Sequence, residues 1–192
     1  MKINLDKIIV LDDIQEWLVE YGKTDFSNYR YYPFHYGDTA KPELGWLFGA
    51  MLFDNKQGGW YHGNPEFVRT LNEYFMKHVL KTIDSTAVLR DLTRIRVNGM
   101  NTGNVASLHN DSPKPNMWAM LYYVYDSTGA TEFYHGDGSI AASVEPKAGR
   151  IVVFPACYMH KANSPTELSD WRVTLNYNYL IEGDLNNDLF TD

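Results

Sequence analysis

The sequence predicts a mainly β fold of the sandwich or jelly-roll type, with helices in its N-terminal third. From residue 87 onward, short runs rich in β-branched and aromatic residues alternate with turn residues. The predicted strands are 87–97, 105–110, 117–125, 131–134, 140–144, 150–154, 158–161 and 171–181. Aromatic residues make up 15% of the chain, which suits a sheet because flat side chains pack well on a pleated surface.

Two amphipathic helices are predicted before these strands. The first is capped by Asp12 or Asp13 and ends at Gly22. The second begins with Asn64 as its cap and Pro65 at its first helical position. Helical spacing gives each an apolar face, formed by Ile14, Trp17, Leu18 and Tyr21 in the first and by Phe67, Val68, Leu71, Phe75, Val79 and Leu80 in the second.

Length and composition indicate one globular domain. A chain of 192 residues with 44% hydrophobic residues can bury one sizeable core and is short for two. We therefore predict a single domain over 1–192, with a helical and irregular support over 1–86 and the jelly-roll core over 87–182. Residues 23–62 lack a clean period, and we interpret them either as a binding loop or lid or as an aromatic plug closing one end of the core.

The composition disfavours several classes of function. A net charge of -7 without a basic run disfavours nucleic acid as a partner. The single cysteine, Cys157, excludes an intramolecular disulfide and a cysteine-based zinc site. No apolar stretch approaches the roughly 20 residues of a membrane helix, so we expect a soluble, cytoplasmic protein with no membrane partner. The oligomeric state stays open.

Two His-x-Asp triplets, His109-x-Asp111 and His135-x-Asp137, are candidates for metal binding. On a strand, residues i and i+2 point to the same face, so each triplet could present an imidazole and a carboxylate to one metal. His160 is the candidate third ligand. Four predicted strands fit between His109 and His160, as a jelly roll requires, whereas only about two fit after His135. We therefore predict His109, Asp111 and His160 as the metal ligands and interpret His135 as structural.

Two histidines and one carboxylate occupy one face of a metal and leave three positions open, which suits Fe(II) and O2 chemistry. Zinc could occupy the same ligands, and the alternative without a metal is three solvated or hydrogen-bonded polar residues. Twelve positions beyond His160, Arg172 begins a strand that alternates strictly. The residues on its polar face are Arg172, Thr174, Asn176 and Asn178. The pattern alone is typical of an antiparallel strand with one face in water.

Several short elements follow one another in a fixed order from about residue 94 to 180. They are His109-x-Asp111, the strand 121–124, the turn and strand 129–133, the segment 146–155, His160, and Arg172-x-Thr174. This order resembles the catalytic core of the Fe(II)/2-oxoglutarate oxygenases, in the branch of the prolyl 4-hydroxylases. One departure is Gly129-Ala130, where many relatives have two glycines.

The resemblance implies a double-stranded β-helix of the cupin-like kind and a site assembled from the residues above. His109, Asp111 and His160 would bind Fe(II), with 2-oxoglutarate and O2 as cosubstrates and ascorbate as an optional auxiliary. Arg172 would pair with the far carboxylate of 2-oxoglutarate and Thr174 would support that contact. Tyr123 corresponds to a tyrosine that binds the cosubstrate in some relatives, and an ordinary core aromatic is an equal interpretation.

The implied activity is hydroxylation of an unactivated C–H bond, in a prolyl residue of a peptide or protein. Trp46, Trp60 and Tyr61 are candidate walls of the substrate groove. The retained Asp111 favours hydroxylation, because related halogenases lack this carboxylate. Two alternatives stay open: a hydroxylase of a free amino acid or other small molecule, and a non-catalytic cupin-like module that only binds a metal or ligand.

Overall fold

The computed structural model describes residues 1–28, 34–35, 48–57, 59–60, 66–104, 106–167 and 170–191. Within these ranges the chain forms thirteen strands. They are β1 (Lys2–Ile3), β2 (Ile9–Leu11), β3 (Phe34–His35), β4 (Phe48–Asp54), β5 (Gly59–Trp60), β6 (Val88–Met100), β7 (Met117–Tyr123), β8 (Thr131–Tyr134), β9 (Ile140–Val144), β10 (Ile151–Pro155), β11 (His160–Ala162), β12 (Arg172–Glu182) and β13 (Phe190–Thr191). The predicted mainly β fold with N-terminal helices is confirmed.

The strands form one large and two small antiparallel sheets. The large sheet has eight strands in the order β2-β10-β7-β12-β6-β4-β3, with β5 paired to β4. The second sheet has the order β11-β8-β9, and β1 pairs with β13. Four strands, β7 to β10, lie between His109 and His160, as predicted.

The predicted strand over 105–110 is wrong. Val105 lies outside the described residues, and in 106–110 only His109 forms a β-bridge, with His160. The prediction of a helical and irregular support over 1–86 missed four strands of the large sheet, β2, β3, β4 and β5. β4 pairs with β6 and β2 with β10, so these segments are strands because a long-range partner satisfies their backbone groups.

The first helix, α1 (Glu16–Asn28), begins and ends later than predicted and runs through Gly22. A Cβ at position 22 would lie 2.7 Å from the Phe67 ring and 2.9 Å from the Tyr122 hydroxyl, so glycine serves close packing here. Leu18 is fully buried, but Trp17 is 54% exposed and does not belong to the buried face.

The second helical segment comprises α2 (Glu66–Tyr74), a π-helical turn (Phe75–Val79) and α3 (Leu80–Ile83). All six residues of its predicted apolar face are buried. The predicted cap Asn64 and Pro65 lie outside the described residues. Among the helices that the structure describes, none combines the length and the apolar character that crossing a bilayer requires.

This helical segment covers one face of the large sheet. Phe75 stacks on Tyr179 of β12 with ring centroids 4.8 Å apart, and the Tyr177 hydroxyl donates to the Val68 carbonyl over 2.9 Å. Side chains alternate along a strand, so Arg172, Thr174, Asn176 and Asn178 point to the opposite face. That face is turned toward the second sheet, because Arg172 reaches Thr131 of β8.

An ion pair fastens the edge strand β2 to β10. Arg150 donates from Nε to Oδ1 of Asp12 over 2.6 Å and from Nη2 to Oδ2 over 2.8 Å. The hydrogen bonds from Arg150 outweigh partial burial and hold the pKa of Asp12 below its ordinary value. A carboxylate with a depressed pKa stabilises the fold at neutral pH, and that contribution is lost as the pH falls through the depressed pKa.

Asp12→Asn is therefore expected to lower the unfolding free energy at pH 7 by at most about 1 kcal/mol, since the pair is partly exposed to solvent. The difference from the wild type should shrink as the pH falls below about 4, where the unfolded carboxylate protonates. Urea unfolding at a series of pH values measures it. Asp13→Asn removes the same charge outside the ion pair and controls for net charge. A difference that stays constant down to pH 2 would contradict the assignment.

Candidate metal centre and cosubstrate pocket

His109 and His160 are brought together by the β-bridge between them. The His109 N–H donates to the His160 carbonyl over 3.1 Å, and the His160 N–H donates back over 2.8 Å. Their ring centroids are 4.5 Å apart. His160 is buried against Phe154, with ring centroids 5.0 Å apart, whereas His109 is exposed. The pair thus has one side in the core and one side open to solvent.

Asp111 completes the cluster. Its N–H donates to the Ala156 carbonyl over 2.9 Å, which fastens the segment after His109 to the chain just before His160. One ligand atom from each of His109, Asp111 and His160 lies within 4.8 Å of the others. The three side chains chosen from the sequence therefore share one site, the only cluster of this kind among the described residues.

Backbone contacts fix the orientation of both imidazoles. Nδ1 of His109 lies 2.9 Å from the Ser107 carbonyl, and Nδ1 of His160 lies 3.0 Å from the Tyr158 carbonyl. A carbonyl can only accept, so each Nδ1 carries a hydrogen, and in the neutral ring Nε2 then has the lone pair that can bind a metal. Metal-binding histidines are held in this way, with the ring nitrogen opposite the metal bonded to a carbonyl or carboxylate.

The electrostatics of the cluster favour neutral imidazole and ionised carboxylate. Burial lowers the pKa of His160, although Asp111 acts in the opposite direction. Burial raises the pKa of Asp111, but attraction to His160 and Arg94 and hydrogen bonds from Asn176 and Asn178 outweigh it, so the net shift is downward. These are the protonation states in which both groups bind a metal cation.

The Asp111 carboxylate is surrounded by donors from the large sheet. Arg94 of β6 donates from Nη2 to Oδ1 over 3.0 Å. Asn176 and Asn178 of β12 donate to Oδ2 over 3.1 and 3.2 Å. The sequence pattern predicted both asparagines on one strand face without a partner, and Arg94 was not among the predicted site residues. The sequence feature that Arg94, Asn176 and Asn178 share is a place on the polar face of a strand. Such a face indicates a site when the fold covers it.

Arg172 is a buried cation that has no acidic partner among the described residues. Its side chain is fully enclosed, with 3% of the residue exposed, so the water-facing interpretation that the strand pattern alone favours does not hold at this position. Nε donates to the Gly129 carbonyl over 3.0 Å, and Nη2 donates to the Thr131 hydroxyl over 2.6 Å. Among the described residues, no carboxylate lies within ion-pair distance of it.

A hydroxyl pair adjoins this guanidinium. The hydroxyls of Tyr123 and Thr131 are 2.6 Å apart, and the centroid of the Tyr123 ring lies 5.4 Å from the Arg172 guanidinium carbon. Thr131 thus contacts Arg172 directly, although Thr131 is not among the site residues predicted from the sequence. Thr174, which was predicted to support Arg172, is buried and lies opposite Tyr123 in the register of β12 and β7.

The second triplet lies apart from this cluster. Nδ1 of His135 accepts from the N–H of Ile3 over 3.3 Å. Asp137 accepts from the N–H and the hydroxyl of Ser139, over 2.9 and 2.6 Å, and thereby closes an exposed turn. Neither residue contributes a ligand atom to the His109 cluster. Both side chains have structural contacts, in line with the interpretation from the sequence.

Comparison with known proteins shows which superfamily the chain resembles. Residues 95–180 match the sequence model of the 2OG-Fe(II) oxygenase superfamily, where 2OG denotes 2-oxoglutarate. No curated protein sequence matches the chain significantly. The predicted resemblance to this superfamily is therefore confirmed over the segment that carries the cluster.

Similar solved structures agree on the fold. A 2OG-Fe(II) oxygenase-family oxidoreductase from Burkholderia pseudomallei superposes with a TM-score of 0.70 at 13% identity, covering 91% of this chain and 85% of its own. A prolyl hydroxylase from Trichoplax adhaerens, in complex with a hypoxia-inducible factor peptide, gives 0.65 at 12% identity over 97% and 88%. The α-ketoglutarate-dependent epimerase SnoN of nogalamycin biosynthesis gives 0.65 at 12% identity over 91% and 77%.

These likenesses confirm the double-stranded β-helix fold. The match over residues 95–180, together with the shared fold, supports an enzyme of the 2OG-Fe(II) dioxygenase class. Enzymes of that class use Fe(II) and 2-oxoglutarate, and the donor set of this site suits both. Two free Nε2 atoms and a carboxylate fit Fe(II), and a buried cation fits the far end of a dicarboxylate. Asn176 Oδ1 is a further buried polar atom without a hydrogen-bond partner among the described residues.

Proposed function

We propose that this protein is a hydroxylase that holds Fe(II) with His109, Asp111 and His160, binds 2-oxoglutarate through Arg172, and acts on a prolyl residue of a peptide or protein. The observation that carries the proposal is the enclosed guanidinium of Arg172. An ionised group buried without a counter-ion costs several kcal/mol, so it is expected only where an anion binds. Arg172 has five N–H donors, and two of them are used by described oxygens.

The spacing along β12 supports this arrangement. Arg172 and Asn176 lie on the same strand face four residues apart, about 13 Å along the strand. Asn176 contacts the Asp111 carboxylate, so the two ends of the site are the cluster and the guanidinium. The arginine side chain and a five-carbon dicarboxylate together can span the distance between them.

When bound, Fe(II) would allow 2-oxoglutarate and O2 to react so that one oxygen atom enters succinate, CO2 leaves, and the other oxygen atom enters the substrate C–H bond as a hydroxyl. Arg172 would hold the far carboxylate with a bidentate fork, which fixes the cosubstrate's orientation. The Thr131 hydroxyl can accept from Arg172 and donate to Tyr123. The Tyr123 hydroxyl would then donate a hydrogen bond to the cosubstrate carboxylate, and Thr174 would pack beside Tyr123.

Prolyl hydroxylation is supported by the shared fold of the Trichoplax prolyl hydroxylase, which holds a peptide. The predicted groove walls Trp46 and Tyr61 lie outside the described residues, as does the side chain of Trp60. Ascorbate would serve as an auxiliary reductant that returns Fe(III) to Fe(II). The exposed side of His109 gives a peptide access to the cluster.

A free amino acid or other small molecule is the second candidate substrate, and one observation favours it. Arg96 lies opposite Asn176 in the register of β6 and β12, and Asn98 lies opposite Thr174, so both share the face that carries the site. A wall with these polar groups suits a small charged molecule better than it suits an apolar prolyl ring. SnoN, an epimerase of nogalamycin biosynthesis, has the same fold.

The proposal is tested first without a primary substrate. Anaerobic addition of Fe(II) and 2-oxoglutarate is expected to produce the weak visible charge-transfer band of a 2-oxo acid chelated to Fe(II), and admission of O2 should then yield succinate. Zn(II) in place of Fe(II) is the control and should give neither, because zinc has no redox chemistry. Absence of both signals with Fe(II) would contradict the proposal.

The substrate is then assigned with two panels, proline-containing peptides and free amino acids. Addition of the true substrate should raise succinate formation and give a product heavier by one oxygen atom in mass spectrometry. A response confined to peptides supports the prolyl assignment, and a response confined to free amino acids supports the second candidate.

A further inference from the structure

We infer that Arg94 and Asn178 are positioning residues that hold the Asp111 carboxylate in the orientation required for metal binding, an inference that rests on the proposed metal site. Arg94 lies on β6 and Asn178 on β12, and the two residues are direct partners in the register of these strands. The sheet therefore places both beside a carboxylate that belongs to a loop. Asp111 itself is in no strand, so it depends on such contacts for its position.

The three side chains form a closed ring of hydrogen bonds. Arg94 donates from Nη2 to Oδ1 of Asp111 over 3.0 Å and from Nε to Oδ1 of Asn178 over 2.8 Å. Asn178 donates from Nδ2 to Oδ2 of Asp111 over 3.2 Å. The Asp111 side chain is 6% exposed and that of Arg94 is 24% exposed, so water competes little for these bonds. Each member fixes the other two.

The ring and Asn176 together leave the carboxylate with one acceptor position that no described residue occupies. A carboxylate has about four lone-pair sites, two on each oxygen. On Oδ2 both are taken, by Asn178 and Asn176, and on Oδ1 one is taken by Arg94. With respect to the described residues, one lone pair of Oδ1 remains for a metal. Such an arrangement favours binding through a single oxygen, which would keep positions on the metal open for the cosubstrates.

Arginine and asparagine are chemically suited to this ring. The guanidinium has donors on Nε and Nη2 that reach two acceptors at once, whereas a lysine ammonium is a point charge without this fork. The asparagine amide accepts from the guanidinium with its oxygen and donates to the carboxylate with its nitrogen. The positive charge of Arg94 by itself would weaken metal binding, since a cation beside Asp111 repels a bound metal cation.

The inference is tested by titrating the metal-free protein with Co(II), a stand-in for Fe(II) that is stable in air, and by recording its visible ligand-field spectrum. Arg94→Lys, Arg94→Gln and Asn178→Ala are each expected to weaken Co(II) binding by about 10- to 100-fold, as the loss of a hydrogen bond to a metal-binding side chain does. The spectrum should change as well, because the carboxylate is no longer fixed. Thermal unfolding of the metal-free variants tests whether each is folded. If the Arg94 variants do not fold, Co(II) binding by Asn178→Ala tests the inference.

The matched controls are Arg90→Lys and Arg90→Gln, on the same strand. Arg90 forms an exposed ion pair with Glu182 and is not in contact with Asp111, so both variants should bind Co(II) like the wild type. If Arg94 acted only through its charge, Arg94→Lys would match the wild type and Arg94→Gln would bind Co(II) more tightly. That pattern would overturn the inference.

An Asp111→Ala background separates this inference from the proposed metal site. With the carboxylate removed, Arg94→Lys should cause no further loss of Co(II) affinity, because Arg94 acts through Asp111. An additional loss in that background would contradict the positioning role. If Asp111→Ala itself leaves Co(II) affinity unchanged, the proposed metal site is wrong, irrespective of Arg94.

Discussion

Asp111→Ala is expected to abolish coupled hydroxylation and to weaken Fe(II) binding by at least about 100-fold, since removal of a ligand should exceed the 10- to 100-fold effect of outer contacts. The carboxylate is the only acidic group of the cluster, and its net pKa shift is downward, so it is ionised at neutral pH. Anaerobic Fe(II) titration and succinate formation measure the two effects. The charge-transfer band with 2-oxoglutarate should be lost at Fe(II) concentrations that saturate the wild type.

The second triplet provides the control for this variant. Asp137→Ala removes a carboxylate from the same His-x-Asp pattern but from an exposed turn, where it accepts only from Ser139 among the described residues. It should leave Fe(II) affinity and succinate formation within about twofold of the wild type when measured in the same titration. Coupled turnover by Asp111→Ala, or loss of Fe(II) binding by Asp137→Ala, would show that the wrong triplet was assigned.

Arg172→Met is expected to weaken 2-oxoglutarate binding by about 30- to several thousand-fold, corresponding to the 2–5 kcal/mol lost when one partner of a buried charge pair is truncated. Fe(II) affinity should change by no more than about threefold, because Arg172 is not among the clustered ligands. The quantity measured is the dissociation constant of 2-oxoglutarate for the Fe(II)-loaded protein, from the charge-transfer band.

Stability separates a binding role for Arg172 from a structural one. In the absence of cosubstrate, Arg172→Met should alter the unfolding free energy by less than about 1 kcal/mol, since relief of a buried charge offsets the bonds lost to Gly129 and Thr131. The wild type should gain thermal stability from 2-oxoglutarate, and the variant should gain little. A large loss of stability with unchanged 2-oxoglutarate affinity would contradict the assignment.

A cosubstrate analogue completes this test. 2-Oxopentanoate keeps the chelating 2-oxo acid but lacks the far carboxylate, so it should bind the wild type and Arg172→Met with similar affinity. The mutation and the ligand change then form a double-mutant cycle whose coupling term isolates the pairing of guanidinium and carboxylate. A full loss of 2-oxopentanoate binding in Arg172→Met would show that the mutation weakens binding through a part of the pocket other than the guanidinium–carboxylate pair, and it would contradict the assignment.

The sequence by itself predicted the strands from 117 onward, the apolar face of the second helix and the three clustered residues. These features depend on local patterns: period-two alternation, helical spacing, and the number of strands between His109 and His160. The ends of α1 could not be predicted in this way. Gly22 is typical of a helix end, but close approach of Phe67 and Tyr122 makes it an interior residue.

Only the tertiary structure decided which polar residues serve the site. The alternation of β12 identified Arg172, Asn176 and Asn178 as one face, and it was equally consistent with exposure to water. Burial of that face against the second sheet turns Arg172 into an enclosed cation and brings Asn176 and Asn178 to Asp111. Arg94 and Thr131 join them from other strands, because long-range strand pairing places side chains together that no local sequence pattern connects.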